Sequence, residues 1–214
     1  LMVQIKRRRH YKTTDSSHHY HKYDNLIKEI VPSRPNEIWV SDITYVETEE
    51  GVCYLSLITD AYSRKIVGWT VGPTLETIYP LQALRMALDG IDEETASKLI
   101  HHSDRGCKYC SSAYVHELKR RRISISMTQS GDPLENPIAE RANGIIKTEW
   151  LYKMKITTRE ECIRELERII LFYNTERPHR SIGMQTPEVA HLQEGPQKRC
   201  WRNPWEAKLP SPME

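Results

Sequence analysis

From Asn36 onward, short runs of β-branched and aromatic residues alternate with longer stretches whose apolar residues recur at helical spacing. "EIWVSDITYVE" and "CYLSLITD" are joined by "TEEG", and "KIVGWTV" follows "AYSR", which predicts a three-stranded antiparallel meander. "LETIYPLQALRMALDGI" predicts a helix stopped at Gly90. "SKLIHHS" then reads as a strand, "SSAYVHELKRRR" as a helix and "ISISMT" as a further strand. After a loop at 130–133, Asn136 and Pro137 announce a helix. The Asn side chain is expected to cap a free amide, and Pro takes the first helical position without wasting a donor. A last amphipathic helix is expected over "TREECIRELERIILFYN". This order predicts an α/β fold, one five-stranded mixed sheet flanked by helices. Residues 1–35 show little periodicity and read as an N-terminal extension, 36–190 as the core domain and 191–214 as a tail.

Composition narrows the class. In 214 residues with 38% apolar and 28% charged side chains, no run of about 18 apolar residues occurs, so no membrane span is expected. The N-terminus is basic without an apolar signal region, which suits a cytoplasmic protein. Five scattered cysteines, an odd number, do not form a disulfide framework. Cys107 and Cys110 make a C-x-x-C close to His101 and His102. No second pair follows at finger-like distance, so plain thiols are the preferred reading over zinc. The net charge of +2 is uneven, because residues 1–35 carry +5 and the remainder −3. Arg7, Arg8 and Arg9 in that segment suit phosphate contact, and a solvated tail is the bland alternative.

Three acids stand out by placement. Asp42 lies inside the first predicted strand among apolar and β-branched neighbours, where an acid is costly unless it is paired or holds a cation. Asp104 ends the strand after the first helix, and Glu140 opens the Pro137 helix. Carboxylate oxygens on separate elements are the ligands Mg²⁺ and Mn²⁺ prefer. A pair of such ions about 3.5–4 Å apart clamps the attacking and leaving oxygens of a phosphoryl displacement. Asp60 is read as a turn cap or a partner for Arg64.

Between Asp104 and Glu140 lie 35 residues. With "NEIWVSDITYV", "YLSLITDAYSRKIVGW", "IHHSDRGCKYCS", "SMTQSGDPLENPIAERANGIIKTEW" and "YNTERPHRSIGMQTP" in order, the chain resembles the D,D-35-E catalytic cores of the retroviral integrase superfamily. More narrowly, it resembles transposases of the insertion sequence three family. The resemblance implies an RNase H-like fold with Asp42, Asp104 and Glu140 as the catalytic, metal-binding triad for Mg²⁺ or Mn²⁺, in a pair of ions. It implies DNA contact by Lys147, seven positions after Glu140 on the same helical face, and by Asn143 beside it. The implied activity is cleavage and strand transfer of DNA, acting on element ends and target DNA as a homo-oligomer away from membranes. Specific end recognition would reside in a helix-turn-helix region ahead of this chain. One position departs from the pattern: Glu135 precedes Asn136 where the family commonly has aspartate. Arg177, Pro178 and His179 match a further family motif whose role is either functional or loop anchoring. Two other readings are a metal-dependent nuclease of the same fold, which hydrolyses without joining, and a DNA-binding module with a decayed site.

Overall fold

In the computed structural model, which describes residues 18–129, 135–197 and 200, the three expected strands form the meander. They are β1 (Ile38–Thr48), β2 (Gly51–Asp60) and β3 (Ile66–Gly72). Asp60 closes the second turn. Its buried carboxylate accepts from the amides of Asn36 at 2.7 Å, Tyr62 at 3.1 Å and Ser63 at 2.7 Å. Two strands with parallel connections complete the sheet, β4 (Ile100–Ser103) beside β1 and β5 (Ser124–Met127) beside β4. The order is β3-β2-β1-β4-β5, five strands and mixed, as the pattern predicts.

Parallel pairing needs crossovers, and helices supply them. Between β3 and β4 run α1 (Ile78–Leu88) and a short α2 (Glu93–Lys98), and between β4 and β5 runs α3 (Ser112–Arg120). Helix α2 is not expected from the apolar pattern, and it takes Ser97 and Lys98 from the expected strand. Asp92 caps the helix by accepting from the Thr95 amide at 2.8 Å, so the strand begins only at Ile100. After β5 come α4 (Pro137–Glu149), α5 (Arg159–Thr175) and the one-turn α6 (Pro187–Ala190).

Alternation along β1 divides the interior into two layers. Trp39 and Ile43 face Leu84, Leu88, Tyr114 and Leu118 of α1 and α3. The opposite face of the sheet carries Val46, Leu55 and Leu57 against Ile146, Leu166 and Tyr173 of α4 and α5, with Val40 against Ala139. At Gly68 a Cβ would stand 2.2 Å from the Ala83 carbonyl, so only glycine lets α1 lie this close to β3. The described residues before β1, from His18 on, form no helix or strand, and some of them pack against the sheet. Tyr23 rests on the first layer and Ile27 on the second, while the Met127 amide donates to the Asp24 carbonyl at 3.2 Å along the β5 edge. Among the described residues no helix is long and apolar enough to cross a membrane.

Candidate active site

Strand register brings the first two acids together. Val40 pairs with His102 in the parallel β1–β4 ladder, so the same register carried two residues onward sets Asp42 beside Asp104. Adjacent strands lie about 4.8 Å apart, a separation at which two carboxylates repel strongly. Helix α4 crosses the same sheet face and contributes Glu140 from its first turn. Asp42 registers the crowding. Burial, then the charge of Asp104 and, less strongly, that of Glu140 push its carboxyl up to about 7, against hydrogen bonds from Asn143 and the Ile43 amide that lower it.

Each of the strand acids is held. Asn143 of α4, buried, donates from Nδ2 to Asp42 Oδ2 at 2.7 Å, and the Ile43 amide donates to Oδ1 at 2.9 Å. The Gly106 amide donates to Asp104 Oδ1 at 2.8 Å. Asn143, expected at a DNA-facing surface, is buried against Asp42. Lys147, two turns on from Glu140, is buried with Nζ 3.9 Å from the centre of the Tyr45 ring, a cation–π contact that fixes the ammonium beside the site. Arg7, Arg8 and Arg9 lie outside the described residues.

Asn136 corrects the local reading. Its side chain makes no cap bond; Nδ2 donates instead to the Ser41 carbonyl of β1 at 2.9 Å. A cap pattern is local, whereas this partner is 95 positions away in sequence and one residue from Asp42. The bond ties the start of α4 to the strand carrying Asp42. Asn136→Ala is expected to lose about 1–2 kcal/mol, because a buried carbonyl loses its donor. Turnover should fall about tenfold as the first turn of α4 drifts. Denaturant melts and single-turnover assays check both.

Beneath the acids lies a buried polar layer that the sequence reading did not assign. His101 Nε2 is hydrogen-bonded to Ser41 Oγ at 2.7 Å and Tyr114 OH at 2.9 Å. His102 bonds Ser126 Oγ at 2.8 Å through Nδ1 and donates from Nε2 to the Glu135 carbonyl at 3.1 Å. Both imidazoles are thus occupied in bracing strands and the approach to α4. Cys110 is buried with Sγ 3.5 Å from Met127 Sδ. Arg177 makes a two-pronged pair with Glu149, at 2.7 and 2.6 Å, and His179 is buried edge-on to Tyr173, so this motif anchors the chain after α5.

Among the described residues no three His, Cys, Asp or Glu side chains stand close enough to cage an ion. The charges of Asp104 and Glu140 act on Asp42, and the crowding shows in its raised carboxyl. The donor set, carboxylate oxygens with a raised Asp42 carboxyl, fits a hard divalent cation. Such an ion relieves the repulsion and accepts those oxygens.

The integrase core domain family matches residues 32–133 and again 121–187. The chain is 35% identical over 190 residues to the insertion element IS600 uncharacterized 31 kDa protein of Shigella sonnei, covering 87% of this chain and 69% of that one. It is 34% identical over 167 residues to the transposase for insertion sequence element IS629 of Shigella sonnei, covering 78% and 55%. To transposase InsF for insertion sequence IS3A of Escherichia coli K12 it is 33% identical over 172 residues, covering 77% and 57%. The chain thus spans little more than half the length of these last two. Among solved structures, a chain of the simian T-cell lymphotropic virus intasome in complex with PP2A regulatory subunit B56 gamma superposes with a TM-score of 0.62 at 18% identity, over 89% of this chain and 66% of that one. The HTLV-2 integrase catalytic core domain in complex with magnesium gives 0.57 at 16% identity, over 74% and 97%. The fold is therefore RNase H-like. By sequence, the chain belongs to the integrase core domain family, on the branch of the insertion-sequence transposases.

Proposed function

We propose that this chain is the catalytic core of a DDE transposase that cuts DNA and joins it to a target by divalent-metal-dependent phosphoryl transfer. The observation that carries the proposal is Asp42 set beside Asp104 under α4, its carboxyl raised by burial and by two further acids. Asp42, Asp104 and Glu140 would be the ligands. A pair of Mg²⁺ or Mn²⁺ ions held there would supply Lewis-acid activation of the attacking oxygen and charge relief at the leaving one.

The chain's own residues do the positioning. Asn143 fixes the Asp42 carboxylate, the Gly106 amide fixes that of Asp104, and the Asn136 bond to Ser41 sets where α4 delivers Glu140. Lys147, steadied over Tyr45, offers a cation to a DNA phosphate at the edge of the site. Arg7, Arg8 and Arg9 would add further phosphate contacts. Pairing of two element ends implies a homo-oligomer.

Labelled element ends incubated with a target plasmid and Mg²⁺ test the reading. Joined products are expected. Hydrolysis without joining would favour the nuclease, and bound but uncut DNA would favour a binding module.

A further inference from the structure

A cavity of about 320 Å³ opens on the flank of α4 away from the acids, between the helix, the end of α5 and the chain at 177–181. Arg64, Arg141, Arg177 and Arg180 line it, and among its described lining residues none is acidic. Arg177 is already spent on Glu149, so it stiffens the wall. Arg141 and Arg180 are exposed at the mouth. Arg64 reaches in from the β2–β3 turn with Nε 3.3 Å from Ser181 Oγ and Nη1 2.5 Å from the Ala61 carbonyl. Its backbone is left-handed, φ 69°, a conformation that costs a non-glycine residue about 1 kcal/mol. Strain of this kind gathers where a side chain has to be aimed.

Two buried residues of the cavity lining carry polar atoms that the described residues leave unpaired. Thr59 is 1% exposed and His179 6% exposed, and Thr59 Oγ1 and His179 Nε2 have no hydrogen-bond partner among the described residues. A buried polar atom left unpaired costs about 1–3 kcal/mol, so native chains keep few. Burial, then the charges of Arg177 and Arg64, hold the His179 imidazole down at about 4, so near neutrality it is uncharged and one ring nitrogen carries a proton. A hydroxyl, an imidazole N–H and guanidinium groups together form a donor set for an oxyanion. The apolar wall of Ile138, Ile145 and Tyr173 gives room for a sugar beside it.

We infer that this cavity is a subsite for one backbone phosphate of a DNA strand, held by the exposed Arg141 and Arg180 over the buried Thr59 and His179. The inference rests on the DNA-processing reading above and adds a contact outside the triad. Arg141 follows Glu140 directly, and about 100° of helix rotation separates neighbours, so a strand crossing the first turns of α4 meets the acids on one side and this cavity on the other. A free phosphate would satisfy the same donors; the strand is favoured by this continuity.

The test uses the full chain without divalent metal, so that binding is read apart from chemistry. Fluorescence anisotropy with a labelled oligonucleotide is run across a salt series for wild type and for Arg141→Gln/Arg180→Gln, two exposed changes that leave the packing alone. Affinity should fall about tenfold near 0.1 M salt, and the slope of log K against log salt should shrink by about 1–2. In parallel, the ¹⁵N imidazole resonances of His179 should shift as the oligonucleotide saturates, and inorganic phosphate at equal concentration should leave them in place. Unchanged affinity and slope, or an unmoved His179 signal, would overturn the inference. So would a shift produced by inorganic phosphate and left unaltered by DNA, which makes the cavity a small-anion site. If these results hold while no strand transfer occurs with metal, the transposase reading fails and the subsite stands. If strand transfer proceeds with the double variant binding as wild type, the subsite alone fails.

Discussion

Asp42→Asn is expected to abolish strand transfer and, without metal, to raise stability at pH 8. Activity should drop at least about 10³-fold, because an amide is a poor ligand and the charge stabilisation lost is worth several kcal/mol. The stability gain follows from the raised carboxyl. With a value of 3.8 in the unfolded chain and about 7 in the folded one, the native state binds the Asp42 proton more tightly. This contribution is complete below 3.8 and is lost as pH rises through about 7, at up to about 1.4 kcal/mol per pH unit in between. Asp42 is half-buried, so partial screening reduces the total to about 2 kcal/mol. Asparagine has no proton to give up. Asn143 is suited to the change, since its Oδ1 has no partner among the described residues and a flipped amide can accept from the new one. Melts in EDTA at pH 5.5 and 8 should show wild type losing stability with pH and the variant not. Added Mg²⁺ should recover wild type only. A variant melting below wild type at pH 8, or joining DNA at the wild-type rate, contradicts the assignment.

Gly106→Ala is expected to cut turnover about 100-fold while stability stays within about 0.5 kcal/mol of wild type. A Cβ at this position would lie 2.8 Å from Asp104 Oδ1, too close for both to stay. What yields is the free end of a side chain, so the fold absorbs the change cheaply and the carboxylate swings out of place. The Gly106 amide, which now holds that oxygen at 2.8 Å, loses its partner as well. Rapid-quench measurement of single-turnover rates beside thermal melts separates this from general damage. Wild-type turnover in the variant would mean that the exact position of Asp104 is unimportant.

The strands and most helices were legible because alternation and helical spacing are local properties, and the Pro137 start of α4 is a local signal as well. The acids were legible through their spacing. Their side-by-side arrangement was not, because it depends on the parallel register of Val40 with His102, set by distant residues. Asn136 was misread for the same reason: its composition suits a cap, and only the folded chain offers it Ser41. Helix α2 carried a readable sign, Asp92 three residues before Thr95, that the neighbouring apolar residues obscured. Gly106 could have been noticed, since glycine two places after an aspartate suits a turn in which the carboxylate takes its amide.

The stretch around Asp24, lying along the last strand, acts as a guard. An open strand margin offers unpaired amides and carbonyls to any neighbouring molecule, and proteins in solution shield such margins. A shortened protein started at Asn36, where the regular pattern begins, would bare that margin and lose the cover of Tyr23 and Ile27 together. Sticky, poorly behaved preparations of such a truncation would then reflect a missing guard, with the catalytic machinery itself intact.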